Sequence, residues 1–299
     1  MRLVTRGDLD GLTSAVIITS VEPVDEILLI HPQDVTDRKV RITKDDILVN
    51  VPYDHNCAKW FDHHLLTDTN EKPPSTFDGK YDIAPSASRL VYDYYVERDP
   101  SIEEHEKLVD ETDRLDSANL THDDVMNPQG HILLGFTIDN RSGLGFDFKA
   151  YFTTLLGYLK TMPIAKVLQQ PEVADRVRRL REEQDRFQDL LLATSQMDEN
   201  VVVTDLRNVE TVPAGNRFLI YSLFPDANVS LRIHWGPKRE NVIAAVGHSI
   251  FKRTCETSVG ELMSHFGGGG HRGAGTCKIP VAEADASIKE ILEILKRNG

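Results

Sequence analysis

The chain has 299 residues, 40% hydrophobic and 27% charged, with a formal net charge of −13; this length favours two domains, and the composition is that of a globular protein. No apolar run approaches the roughly eighteen residues of a membrane span, and the opening MRLVTRGDLDG has no apolar stretch ahead of its acidic residues, so neither a span nor a secretory leader is expected. The acidic balance argues against loose binding of duplex nucleic acid, and three scattered cysteines (Cys57, Cys255, Cys277) form no disulfide framework and suit a reducing cytoplasm.

Taken in chain order, Arg2 to Thr5 reads as a short strand, followed by a polar turn and an apolar helix over 12–21. Residues 26–31 and 46–51 are short aliphatic runs bounded by polar residues, as buried parallel strands are. Residues 59–61 form a third such run, ending in Asp62, and 88–97 and 103–115 read as helices. The alternation predicts an α/β fold with a mostly parallel N-terminal sheet flanked by helices. Ligands of such sheets sit beyond the carboxyl ends of the strands, where Asp8 and Asp62 both fall. A helix is predicted over 146–159. Residues 171–194 form a long charged helix whose stripe of Val173, Val177, Leu180, Phe187 and Leu191 is a packing face. Strands are then predicted over 201–204, 218–222, 229–234 and 242–246, and Ile288, Ile291, Leu292 and Leu295 mark a last amphipathic helix. The expected organisation is a catalytic domain over 1–170, a linker helix over 171–200 and a smaller α/β domain over 201–299. Residues 201–299 hold 12 Lys+Arg and 10 Asp+Glu, a net of +2, which leaves −15 on the first 200 residues.

Four constellations carry chemistry. In Gly7-Asp8-Leu9-Asp10-Gly11 the carboxylates lie two apart at a strand end, so an extended stretch points both to one side, as a hard divalent ion requires. In Asp62-His63-His64 adjacent imidazoles on an extended segment point oppositely and take different jobs, and Asp62 can orient one of them. In the acidic run over 109–116, Asp110 and Asp113 share a helix face. The run from Phe266 to Gly275 places four glycines before His271 and Arg272. That is explained if backbone must approach a ligand closely, and Arg253 could add a bidentate phosphate contact.

Together, in this order, these residues resemble the DHH phosphoesterase family in its short two-domain form, exopolyphosphatase-like or oligonucleotide-degrading. The resemblance implies a metal-dependent hydrolase, using Mn²⁺ or Mg²⁺, that attacks a phosphoester or phosphoanhydride bond with activated water. Its substrate would be a small phosphorylated molecule: a short oligonucleotide, a nucleotide or polyphosphate. It implies Asp8, Asp10, His63 and Asp113 as metal ligands, with Asp110 and Asp116 as rivals of Asp113. Asp62 and His64 would serve catalysis, and Arg253, Gly268, Gly269, Gly270 and His271 would hold substrate. A cytoplasmic enzyme is expected, without membrane or extended duplex as partner; a homodimer is compatible with the sequence but not demanded by it.

Two positions depart from the family pattern. Arg6 stands where the first motif has His, and Asn50 stands where an Asp ends a strand, with Asp54 four residues on. With Asp8, Asp10 and Asp113 negative and Arg6 positive, the pocket balances one divalent ion rather than two. Arg6 would then stabilise developing charge, with weaker turnover. The alternative is a degenerate DHH scaffold that binds nucleotides or regulates, with little turnover.

Overall fold

Strand β1 (Arg2–Thr5), with Leu3 and Val4 wholly buried, opens a computed structural model that describes residues 1–66, 71–138 and 146–297. The chain continues through α1 (Leu9–Val21), β2 (Glu26–Leu29), α2 (Pro32–Thr36), β3 (Asp46–Val49), β4 (Lys59–Asp62) and β5 (Gly79–Tyr81). Helix α3 (Ala87–Val96) follows, then a 3-10 turn at Pro100–His105 and α4 (Glu106–Asp116). After these come α5 (His122–Met126), α6 (Gly130–Phe136), α7 (Phe146–Thr161), α8 (Ile164–Val167) and the long α9 (Pro171–Thr194). Two compact units emerge: Met1–Asn119 with Pro128–Val177, and Leu120–Asn127 with Arg178–Gly299. The division falls inside α9, the helix expected to lead from the first domain to the second, and α5 groups with the second unit.

The first unit's sheet has the order β2-β1-β3-β4-β5, parallel throughout. Because β2 and β3 flank β1 on opposite sides, the winding reverses there, and a crevice opens beyond the carboxyl ends of β1 and β3. Helix α1 is buried from Leu9 through Ile18 and packs against α3, α4 and α7, so it is apolar nearly all round. Trp60 fixes the far half of the sheet. It is fully buried, stacks on Tyr81 at 5.1 Å, meets Tyr53 edge-on at 5.2 Å, and donates from Nε1 to the Val51 carbonyl at 2.9 Å. Such ring pairs contribute about 0.5–1.5 kcal/mol each beyond area burial, and here they anchor the strand that delivers Asp62 and His63.

The second unit contains β6 (Ser195–Asp198), β7 (Val201–Asp205), α10 (Leu219–Leu223), β8 (Val229–Trp235), β9 (Asn241–His248), α11 (Val259–His265), β10 (Gly269–His271), β11 (Ala274–Pro280) and α12 (Ala284–Arg297). Its sheet has the order β10-β11-β9-β8-β7-β6, antiparallel except for the β7–β8 pair. Ile288, Ile291 and Leu295 of α12 and Val259, Leu262 and Met263 of α11 close its core.

Where a strand over 218–222 is expected, the chain forms the helix α10 (Leu219–Leu223), with Phe218 as its N-cap. Leu219, Ile220 and Tyr221 are buried in succession, which a half-exposed strand would not do. Asn216 starts the turn, its Oδ1 accepting from Phe218 N at 3.0 Å and its carbonyl from Leu219 N at 3.0 Å. A parallel β7–β8 pair also needs a crossover connection, and a helix supplies it. No helix among the described residues is long and apolar enough to cross a membrane.

Candidate active site

Four successive strand ends meet at the carboxyl edge of the first sheet. After β1 come Arg6, Asp8 and Asp10; after β3 comes Asn50; β4 ends in Asp62 and leads to His63 and His64; and β5 leads to residues 84–88 at the start of α3. Asp8 caps α1, its Oδ1 accepting from Gly11 N at 2.9 Å. Gly11 is required by close approach, since a Cβ there would lie 2.1 Å from the Arg6 carbonyl oxygen.

Asp10, His63 and Asp116 present donor atoms that all lie within 4.8 Å of one another. His63 donates from Nδ1 to the Ala84 carbonyl at 3.0 Å, which turns its Nε2 inward, 3.4 Å from Asp116 Oδ2 and 3.9 Å from Asp10 Oδ2. That Nε2 is buried and makes no hydrogen bond. Donors bonded at roughly 2.1 Å to one octahedral ion stand roughly 3–4 Å apart, so the set fits a divalent cation. Asp10 is wholly enclosed, its two oxygens accepting Ala87 N at 3.0 Å and Ser88 N at 2.7 Å. Burial pushes the Asp10 carboxyl above its ordinary range, against the pull of His63 and helped by Asp8. Burial likewise pushes Asp116 well up, reinforced by Asp10 and Asp8. A cation among the three would reverse both shifts.

Arg6 and Asn50 converge on Asp8. Arg6 Nε lies 3.0 Å from Asp8 Oδ2, and Asn50 Nδ2 donates to Asp8 Oδ1 at 3.3 Å. Asn50 is fully buried at φ 58°, a left-handed conformation that Asn tolerates better than most residues. Asp54 does not reach back toward this edge; its Oδ1 accepts from Asn56 N at 2.8 Å.

Asp62, buried, accepts from His63 N at 2.9 Å and holds His64 Nδ1 at 2.8 Å. That hydrogen bond outweighs burial and raises the His64 pKa. The carboxylate thus orients His64, while a backbone carbonyl orients His63. Asp113, expected as the late metal carboxylate, is engaged elsewhere: Ser86 Oγ donates to its Oδ1 at 2.6 Å and Arg89 Nε to its Oδ2 at 2.8 Å. Asp110 is exposed and pairs with Arg89 at 2.5 Å. Spacing alone does not separate Asp113 from its two neighbours; the placement of α4 against the sheet brings Asp116, and not Asp113, to within 3.4 Å of His63 Nε2. Sequence reasoning misses Arg89 and the 84–88 segment, although Ser86 before an apolar run is a recognisable helix cap.

In the second unit, the glycine run ends α11 and forms β10, the edge of a hairpin with β11. A Cβ on Gly268 would lie 2.1 Å from the Thr276 carbonyl oxygen, and one on Gly270 would lie 2.2 Å from that of Ala274. Those two glycines are set by the partner strand rather than by a ligand. Gly269 meets nothing within 4 Å and lacks a positive φ. His271 Nδ1 accepts from Gly273 N at 3.2 Å, and Arg253 Nε donates to the Ile250 carbonyl at 3.0 Å.

No family model and no curated protein matches the chain. Among solved structures, it is similar to PggH of Vibrio cholerae, described as a pGpG-specific phosphodiesterase: 37% identity over 100% of this chain and 99% of that one, TM-score 0.86. The chain belongs to the DHH phosphoesterase family. RecJ of Thermus thermophilus, in complex with Mn²⁺, shares its fold at TM-score 0.57 and 13% identity, over 99% of this chain and 52% of RecJ. The DHH domain of a protein described as belonging to a family of ribosomal proteins does so at TM-score 0.65 and 14% identity, over 99% of this chain and 87% of that one. As a DHH phosphoesterase the chain is a hydrolase of phosphodiester bonds with a two-domain α/β fold.

Proposed function

We propose that this hydrolase cleaves a linear dinucleotide of the pGpG type, using one divalent ion, Mn²⁺ or Mg²⁺, held by Asp10, His63 and Asp116. The observation that carries the reading is the buried, unbonded His63 Nε2 facing two carboxylates whose protonation is favoured by burial. Bound there, the ion would supply Lewis acidity and lower the pKa of a coordinated water. Arg6 would stabilise charge developing on the phosphoryl group, from beside Asp8. Asp62 would keep His64 protonated, so that this half-exposed imidazolium could donate to a phosphoryl or leaving oxygen. Gly269, His271 and Arg253 would bind the substrate through the second unit; Gly268 and Gly270 would serve by shaping the hairpin. Asp8, Asp10 and Asp116 against Arg6 leave a formal charge near −2, which suits one divalent ion. The three cysteines are free and buried, which suits a cytoplasmic setting.

The test is an assay of Mn²⁺-loaded protein against pGpG, a bisphosphorylated adenosine, a cyclic dinucleotide and polyphosphate. Turnover is expected for the linear dinucleotide; preferential cleavage of polyphosphate, or micromolar binding of pGpG without cleavage, would overturn the reading.

A further inference from the structure

Three side chains of the proposed metal centre come from three elements, yet one short segment supports two of them. Between β5 and α3, the Ala84 carbonyl accepts from His63 Nδ1, and the amides of Ala87 and Ser88 hold both oxygens of Asp10. The third, Asp116, lies at the end of α4, one turn beyond Asp113. Asp113 ties that same segment to α4. It accepts from Ser86 Oγ at 2.6 Å and Arg89 Nε at 2.8 Å, with Arg89 Nη2 at 2.7 Å. Ser86 Oγ in turn caps α3 by accepting from Arg89 N at 3.0 Å. Both Asp113 oxygens are thus committed, and its charge is matched by a guanidinium in a forked contact that an ammonium could not copy.

We propose that Asp113 and Arg89 are positioning residues: they register Asp116 on α4 against Asp10 and His63, and so set the geometry of the metal centre without touching the ion. This rests on the assignment of Asp10, His63 and Asp116 as the ion's ligands. Outer partners of metal ligands typically change affinity or activity by about 10–100-fold when removed.

The experiment is Mn²⁺ titration calorimetry on metal-free protein, with steady-state kinetics on pGpG, for Asp113→Ala, Asp113→Asn, Arg89→Ala, Arg89→Lys and the Asp113→Ala/Arg89→Ala pair. Folding is checked by circular dichroism. Mn²⁺ affinity is expected to fall about 10–100-fold in the alanine variants, kcat to recover in part at high Mn²⁺, and KM for pGpG to change little. The double variant should be no worse than either single one, because the two residues form one brace. Asp46→Asn, which removes the charge from the part-buried Arg2–Asp46 pair at 2.7 Å elsewhere in this unit, controls for general destabilisation and should leave Mn²⁺ affinity unchanged. Native Mn²⁺ affinity in Asp113→Asn and Arg89→Lys together with the alanine variants would overturn the positioning role. Mn²⁺ binding that survives Asp116→Ala would instead overturn the ligand assignment beneath it.

Discussion

Asp8 shows how two substitutions in a family pattern act as one. Arg6 and Asn50 lie far apart in sequence, yet both contact its carboxylate. A carboxylate paired with a guanidinium and an amide is a poor ligand for a second ion. Among the described residues, by contrast, Asp10 and Asp116 have no cationic side chain bonded to them apart from the His63 contact. Burial sets other residues by the same rules. His105, 6% exposed, has its pKa lowered chiefly by burial, against the pull of Glu104 and with a small push from Lys160. Its unfolded value is about 6.5, so the neutral ring adds stability above that pH, and the contribution is lost as pH falls through the folded value. His105→Gln cannot titrate; between pH 7 and 5 it should lose less stability than the native chain in denaturant titrations. Equal losses would mean that the imidazole is not held neutral.

The elements explain what is legible in the sequence. Strands β1 to β4 are readable because they are short apolar runs bounded by polar residues, and Asp8, Asp10, Asn50 and Asp62 fall at or just beyond their ends. Which α4 carboxylate faces His63 is not, because Asp110, Asp113 and Asp116 recur every three residues and only the packing of α4 brings Asp116 there. Helix α10 reads as a strand because β-branched and aromatic residues suit one, whereas the β7–β8 crossover imposes a helix. The glycine run reads as a ligand-facing loop, and the structure divides it. Gly268 and Gly270 fit the backbone of β11, and Gly269 faces open space. Gly269→Ala should therefore fold normally, with a melting temperature within about 1–2 °C of native, while KM for pGpG rises several-fold. Gly268→Ala should lower stability by about 1–3 kcal/mol. Unchanged KM in Gly269→Ala would remove the hairpin from substrate binding.

At the scale of the whole molecule, charge is divided unevenly, with a formal net of −11 on the first unit and −2 on the second, and the carboxyl edge of the first sheet gathers carboxylates whose ionisation burial opposes. Burial raises the Asp10 and Asp116 pKa values in the folded chain, so their ionisation costs stability as pH rises from the ordinary carboxylate range through the raised values, and a cation relieves that cost. At about 100 times its Kd, such an ion adds about 2.7 kcal/mol of stability. The measurement that reaches the centre of the account is elemental analysis of manganese bound per chain after loading and dialysis, on the native protein and on Asp116→Ala. One equivalent on the native chain and none on the variant is the predicted result. Two tightly held equivalents, or one that survives loss of Asp116, would contradict it.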